Sequence, residues 1–339
     1  MPPRGAPKPP LRVAFAATFC EVGENGPPPM ERVGEEVDRG LTADEVRQIH
    51  KDLGLPKECL KELGKLCPAS KSCKHFTDDA VVLHIPNGVN VILEEESAAD
   101  ALLAELAPLK ADKMALMGRG DGREVRHKHA RHNSLLYDTP QQADYPNGKG
   151  TIHKIGLLTN WARLRGAIVD RLPALQSILK APMVVEINKY YDTLGAIGKA
   201  TGIGWHGDEE RKIVVGVRLG ASEDMPMNWQ WFYRHEPVGE KLVLPLQHGD
   251  MYIMSAKAVG TDRPKWARYT VRHATGLDHA KDKPSNAERM VKNAKKKAKK
   301  ADEKPKAKPK GAIRKRTAKA KAKPKPKPKL ELVALSDSE

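Results

Sequence analysis

The segment GIGWHGD at 202–208 places His206 and Asp208 two residues apart. In a β-strand that spacing sends both side chains to one face. An imidazole nitrogen and a carboxylate oxygen so placed supply two ligands of a facial triad. With a distant histidine they leave open positions on Fe(II) for a bidentate co-substrate and oxygen. A lone HxD arises often by chance, so its surroundings carry the weight: VEINKYYD lies upstream at 185–192 and LPLQHGDMYIMS downstream at 244–255.

The elements that must position these residues are legible in part. Residues 1–10 are rich in Pro, Arg and Lys and read as disordered, and Leu11 to Phe19 reads as a first strand. Thr42 is the expected N-cap of a helix over 43–53, with Glu45 completing a capping box and Gly54 ending it. Asn87-Gly88 between two apolar runs in 80–93 predicts a β-hairpin. A helix is expected over about 97–110, and an amphipathic helix over 160–180 interrupted at Pro173. From 183 onward the chain changes to short β-rich segments separated by Gly and Pro.

The charge is uneven. Of a formal net charge of +16, residues 281–339 hold +15, in a Lys, Ala and Pro sequence with too few apolar residues to offset the entropy of folding. Such a tail reads as disordered and attracts a polyanion through counterion release, so DNA or RNA is the expected partner. A second basic segment, RHKHARHN at 126–133, is a candidate rim in which Arg126, Lys128 and Arg131 would meet phosphate, while His127 and His129 are weaker metal candidates. Cys59, Cys67, Cys73 and His75 match no paired zinc-ligand spacing, so the cysteines read as ordinary thiols in a reducing compartment. The apolar run Val13 to Phe19 is far shorter than the roughly 20 residues a bilayer requires, which predicts a soluble protein with no membrane partner.

The order of motifs over 183–276 resembles the AlkB-type branch of the 2-oxoglutarate and iron dioxygenases, which repair alkylated nucleic acid. The resemblance rests on Asn188 and Tyr190 before the HxD, Glu209 just after it, the LPLQHGD strand at 244–250 and RYTVRHATG at 268–276. More broadly, 11–276 is similar to uncharacterised oxygenase-like proteins of algae and large DNA viruses. The resemblance implies an α+β chain whose core, 181–280, is a double-stranded β-helix, or jelly roll. An N-terminal helical and β elaboration at 11–180 would pack on that core, ahead of the basic tail. It also implies Fe(II) and 2-oxoglutarate, with Asn188 and Tyr190 hydrogen-bonding the co-substrate and either Arg268 or Arg272 anchoring its carboxylate.

The chain departs from that pattern at the third ligand. The resemblance puts a histidine between the HGD strand and the arginine strand, but Ser255 to Trp266 contains none, and Lys257 stands near its place. His273 is the nearest usable imidazole, although strict alternation puts it on the opposite face from Arg268 and Arg272. A bulge after Arg272, or an inward face made by Tyr269, Val271 and His273, would resolve the conflict. Asp262 is the oxygen alternative. His248 reads as a structural histidine of a turn, and Trp229 and Trp231 as packing between two sheets.

The expected reaction is hydroxylation or demethylation of a nucleic-acid base. A protein hydroxylase would use the same centre, and an inactive chromatin-binding protein would retain the jelly roll without the third ligand. Basic runs at 294–300 and 314–316 imply nuclear import in a eukaryotic or viral setting, and a cytoplasmic location otherwise. The oligomeric state is open.

Overall fold

The first expected strand forms, and its side chains alternate. In a computed structural model that describes residues 11–67, 80–118, 120–196, 200–265 and 268–276, β1 (Ala14–Cys20) is buried on both faces. Phe15, Ala17 and Phe19 point into one core, and Ala16 and Thr18 line a cavity on the other side.

Strand β1 sits near the middle of an eight-stranded sheet ordered β4-β5-β15-β12-β1-β10-β8-β9. Its members are β4 (Leu60–Glu62), β5 (Val81–Ile85), β8 (His132–Tyr137), β9 (Ile152–Lys154), β10 (Val184–Tyr190), β12 (Val214–Gly220) and β15 (Met251–Met254). All neighbours are antiparallel except β8 and β9. A four-stranded sheet, β11-β16-β13-β14, is made by β11 (Ile203–His206), β16 (Thr270–Thr275), β13 (Met227–Tyr233) and β14 (Glu236–Leu244). Two ribbons complete the strands: β2 (Val22–Glu24) with β3 (Arg32–Gly34), and β6 (Met114–Met117) with β7 (Glu124–His127).

One core lies between the large sheet and the helices. It joins Phe19, Leu83, Val185, Val217 and Ile253 to Val46 and Ile49 of α1 (Ala43–Asp52), Ile92 of α2 (Gly88–Leu93), and Leu102 of α3 (Ala98–Leu106). Trp161 and Leu164 of α4 (Thr159–Arg171) and Leu175 of α5 (Pro173–Ile178) close it. A second core lies between the sheets, where Val82, Val214, Tyr252 and Met254 meet Met227, Trp229, Trp231 and Val271. The tryptophans therefore pack as their alternation predicted. Tyr252 lies over Gly216, where an added Cβ would fall 2.1 Å from the ring.

Local signals held where they were local. Thr42 caps α1 with both halves of the capping box formed, and Pro173 begins a new helix after the break at Leu172. The Asn87-Gly88 hairpin did not form. Asn87 takes the left-handed conformation (φ 52°) that such a turn begins with, but the chain continues into α2. Its Asn87 N–H is held by Asp250 Oδ1 at 2.8 Å and its Val89 N–H by the Gly249 carbonyl at 3.0 Å. Val89 and Ile92, three apart, then bury one helical face.

The sequence reading puts a boundary at 180/181, with 11–180 packed on the core. The large sheet alternates strands from both sides of it, and the described residues all fall in one compact unit that ends by Asn286. The mixed α+β class stands. The expected disordered segments at 1–10 and 281–339, and the candidates Cys73 and His75, lie outside the described residues. Cys20, Cys59 and Cys67 are buried. No helix among the described residues is long and apolar enough to cross a membrane.

Candidate metal centre

His206 ends β11, and Asp208 follows it in the turn. Gly207 between them is required by crowding, because a Cβ there would lie 2.3 Å from the Gly260 carbonyl oxygen. The Asp208 N–H donates to the Val259 carbonyl at 3.1 Å, beside α6 (Ala256–Val259). The neighbouring strand β16 pairs antiparallel with β11 and sets His273 directly opposite His206. The two rings meet edge-on with centroids 4.3 Å apart.

The Nε2 atoms of both histidines lie 3.5 Å from Asp208 Oδ1. One ligand atom from each residue lies within 4.8 Å of the others, and no other such group of three occurs among the described residues. Metal bonds of about 2.0–2.2 Å to nitrogen and oxygen bring donors to separations of roughly 3 Å, which the two contacts to Asp208 Oδ1 approach. The protonation states suit that role. His206 Nδ1 lies 2.8 Å from the Gly204 carbonyl, which fixes the N–H there and leaves the Nε2 lone pair facing Asp208. Burial, and then the neighbouring His273, push His206 down to about 3, so it is neutral at neutral pH. Burial alone would raise the Asp208 carboxyl, but His273 and Arg211 outweigh it and hold the group well below the usual carboxylate range.

Arg211 is buried behind the centre. It reaches Asp208 Oδ2 at 3.6 Å, Glu186 at 2.6 Å and Glu210 at 2.5 Å. One oxygen of Asp208 therefore faces the histidines while the other is tied to a guanidinium that two further carboxylates neutralise.

The three residues open onto a cavity of about 470 Å³ between the sheets. Asn188 and Tyr190 line it, as expected. Asn188 donates to Glu186 Oε1 at 3.0 Å and accepts from Arg131 Nε, and burial pushes the Tyr190 phenol up to about 12. Arg218 enters from β12, fully buried, with Nη2 donating to Thr275 Oγ1 at 2.7 Å.

Arg268 and Arg272 are not at this cavity. Alternation along β16 turns Val271, His273 and Thr275 inward and therefore Arg272 outward. There Arg272 lies 4.3 Å over the Phe232 ring and bonds His235 Nδ1 at 3.0 Å. Arg268 precedes the strand and is exposed. The inward face that accommodates His273 is the same face that excludes the arginines. Asp262 does not join the centre either, since it pairs with Lys257 at 2.5 Å. His248 is structural, with Nδ1 accepting the Gly220 N–H at 3.0 Å.

The basic rim is divided. Arg126 is exposed and pairs with Glu124. Arg131 turns into the cavity. Lys128 is buried against Asn133, and burial first, then Arg131, push its ammonium down to about 8. It is no surface contact for phosphate. His127 and His129 are exposed, with rings 5.0 Å apart.

No family model matches the chain. An uncharacterised protein of Acanthamoeba polyphaga mimivirus is 32% identical over 277 residues, which span 79% of this chain and 97% of that protein. The chain belongs to the family of that mimivirus protein.

Sequence reasoning missed Arg211, Glu186 and Arg218. For Glu186 and Arg218 the signal is a lone charge inside an apolar β-run, VVEI at 184–187 and IVVGVRL at 213–219, whereas Arg211 sits in the charged run DEERK at 208–212 and carries no such signal. Such a charge is stable in a sheet core only when another group answers it.

Proposed function

We propose that this chain is a non-haem Fe(II) oxygenase that uses 2-oxoglutarate to hydroxylate or demethylate a nucleic-acid base. The observation that carries the reading is the convergence of two imidazoles and one carboxylate, from β11, its following turn and β16, on a cavity between two sheets. The donor set fits a divalent transition ion with open positions. The approach of His273 to His206 and Asp208 supports an active centre over the inactive reading.

The topology supports a double-stranded β-helix. Strands β10, β1, β12 and β15, four of the eight in the large sheet, face the four-stranded sheet of β11, β16, β13 and β14. In this reading the N-terminal strand β1 closes the larger face between β10 and β12.

Bound Fe(II), with 2-oxoglutarate and oxygen, would supply an oxidant that inserts oxygen into a substrate C–H bond as the co-substrate becomes succinate and carbon dioxide. The residues do the rest. His206 presents a fixed lone pair, and Arg211 holds Asp208 ionised and aimed. Asn188 and Tyr190 line the cavity, where the Tyr190 phenol would hydrogen-bond a co-substrate.

Nucleic acid is favoured as substrate by the +15 charge of residues 281–339 and by the exposed Arg126. The basic runs in that segment favour the nucleus. The test is product analysis after incubation with Fe(II), 2-oxoglutarate and methylated DNA, methylated RNA or histone-type peptides. Oxidised or demethylated base supports the reading, whereas product from peptide alone replaces it with a protein hydroxylase.

A further inference from the structure

Lys128 is the one buried lysine among the described residues, and the metal centre makes no use of it. It is 6% exposed and lines the same cavity as His206, Asp208 and His273. Its Nζ donates to Asn133 Oδ1, a neutral amide, and it forms no ion pair with any described residue. The backbone holds it there. The Lys128 N–H donates to the Lys113 carbonyl at 2.8 Å. Asn133 stands opposite Asn188 in the β8–β10 ladder, with Nδ2 donating to the Glu24 carbonyl at 3.1 Å.

Lysines that serve packing alone carry the ammonium out to water or onto a carboxylate, and Lys128 does neither. An ammonium taken from water and given only a neutral acceptor is poorly compensated, so burial favours the free amine. Burial is the largest effect here; Asp112 and Glu186 oppose it, Arg131 reinforces it, and the balance pushes Lys128 down to about 8. At pH ~7 roughly a tenth of such an amine carries a free lone pair, against less than about one part in a thousand at the usual lysine value. A neutral amine held in a cavity attacks carbonyl carbon.

We propose that Lys128 is a nucleophile that forms a reversible imine with a small aldehyde in this cavity. Its nitrogen attacks the carbonyl carbon, and an N–H proton passes to the carbonyl oxygen to give a carbinolamine. That hydroxyl then leaves with the second N–H proton as water, and a neutral imine remains. The step is neither an oxidation nor a reduction and needs no metal. Oxygen insertion into an N-methyl group releases formaldehyde, an aldehyde of this kind, and capture of that product is the part that rests on the function proposed above.

The test is reductive trapping on full-length protein loaded with Fe(II) under anaerobic conditions. Propanal and cyanoborohydride are added, and the reduced adducts are located by peptide mass spectrometry. At pH ~7 Lys128 is expected to be labelled at least about tenfold faster than the exposed Lys154, a smaller margin than the ratio of free amine because lower basicity weakens a nucleophile. Its rate should level off above pH about 8, where an ordinary lysine still gains free amine up to pH ~10. Asn133→Asp, which sets a carboxylate against the ammonium, should slow Lys128 at least about tenfold at pH ~7 and leave Lys154 unchanged. Thermal melting shows whether that variant is folded; if it is not, the wild-type pH profile carries the test.

Labelling of Lys128 no faster than Lys154 overturns the proposal, as does a rate that climbs beyond pH ~9 without levelling. A second arm replaces propanal with 2-oxoglutarate, oxygen and methylated DNA or RNA. A one-carbon adduct on Lys128 beside demethylated base supports capture of the product, and demethylated base without the adduct overturns that part. Propanal trapped at Lys128 with no oxidised or demethylated base would instead remove the oxygenase reading and leave the imine site.

Discussion

His206 and His273 are 67 residues apart in the chain and directly opposite in the β11–β16 ladder. Each presents Nε2 to the same oxygen of Asp208. This pairing makes His273 the third ligand of the account and removes Asp262. In a metal titration, His273→Ala should weaken ion binding as strongly as His206→Ala, by at least tenfold, while Asp262→Ala changes it less than twofold, in keeping with a ligand lost against a distant ion pair. Equal losses in His273→Ala and Asp262→Ala would contradict it.

Arg211 concentrates three carboxylates around one buried guanidinium. Removing one partner from such a cluster leaves uncompensated buried charge, at about 3–5 kcal/mol. Arg211→Leu should therefore unfold in urea with a stability loss of that order. A loss below about 1 kcal/mol would mean that the cluster is solvated and that Asp208 is held by other groups.

These two relationships also mark what the sequence could carry. The HxD pair was legible because its members are neighbours, and the Thr42–Glu45 capping box for the same reason. Alternation correctly separated His273 from Arg268 and Arg272, but it could not say which face turns inward, because that depends on packing against β12 and β13. The answers to Glu186 and Arg211 were hidden, since they depend on β1, β10 and β12 being neighbours across nearly 200 residues of chain. Asn87-Gly88 misled because the turn's partner strand is β15, far downstream, and not the run that follows it.

Acid stability should report on His132, whose ring stacks on Tyr191 with centroids 4.2 Å apart. Burial, and then His127 and nearby lysines, push its imidazole down to about 4. An unfolded histidine titrates near pH ~6.5, so between those values the unfolded chain binds more protons, and stability falls as pH drops through about 6.5 towards about 4. His206 has the same sign and remains in both proteins compared. His132→Phe keeps the stack and should lower the melting temperature less on going from pH ~7 to pH ~5. Identical pH slopes would show that His132 is protonated in the folded state.

Residues 281–339 should act as a salt-sensitive docking segment. Each phosphate they neutralise adds about −0.9 to the slope of log affinity against log salt. Their deletion should lower DNA or RNA affinity and that slope together, while turnover on a short saturating substrate is unchanged. A truncated protein with the full-length affinity and slope would shift docking to Arg126 and the rim.

The most direct test of the central claim is oxygen-dependent conversion of 2-oxoglutarate to succinate by the full-length protein with Fe(II), measured beside His206→Ala, Asp208→Ala and His273→Ala proteins shown to be folded by melting. The account predicts succinate from the wild type, none after chelation of the metal, and at least a hundredfold less from each variant, because the ion is lost with any one of three ligands. Succinate formed at the wild-type rate by any of the three folded variants would contradict it.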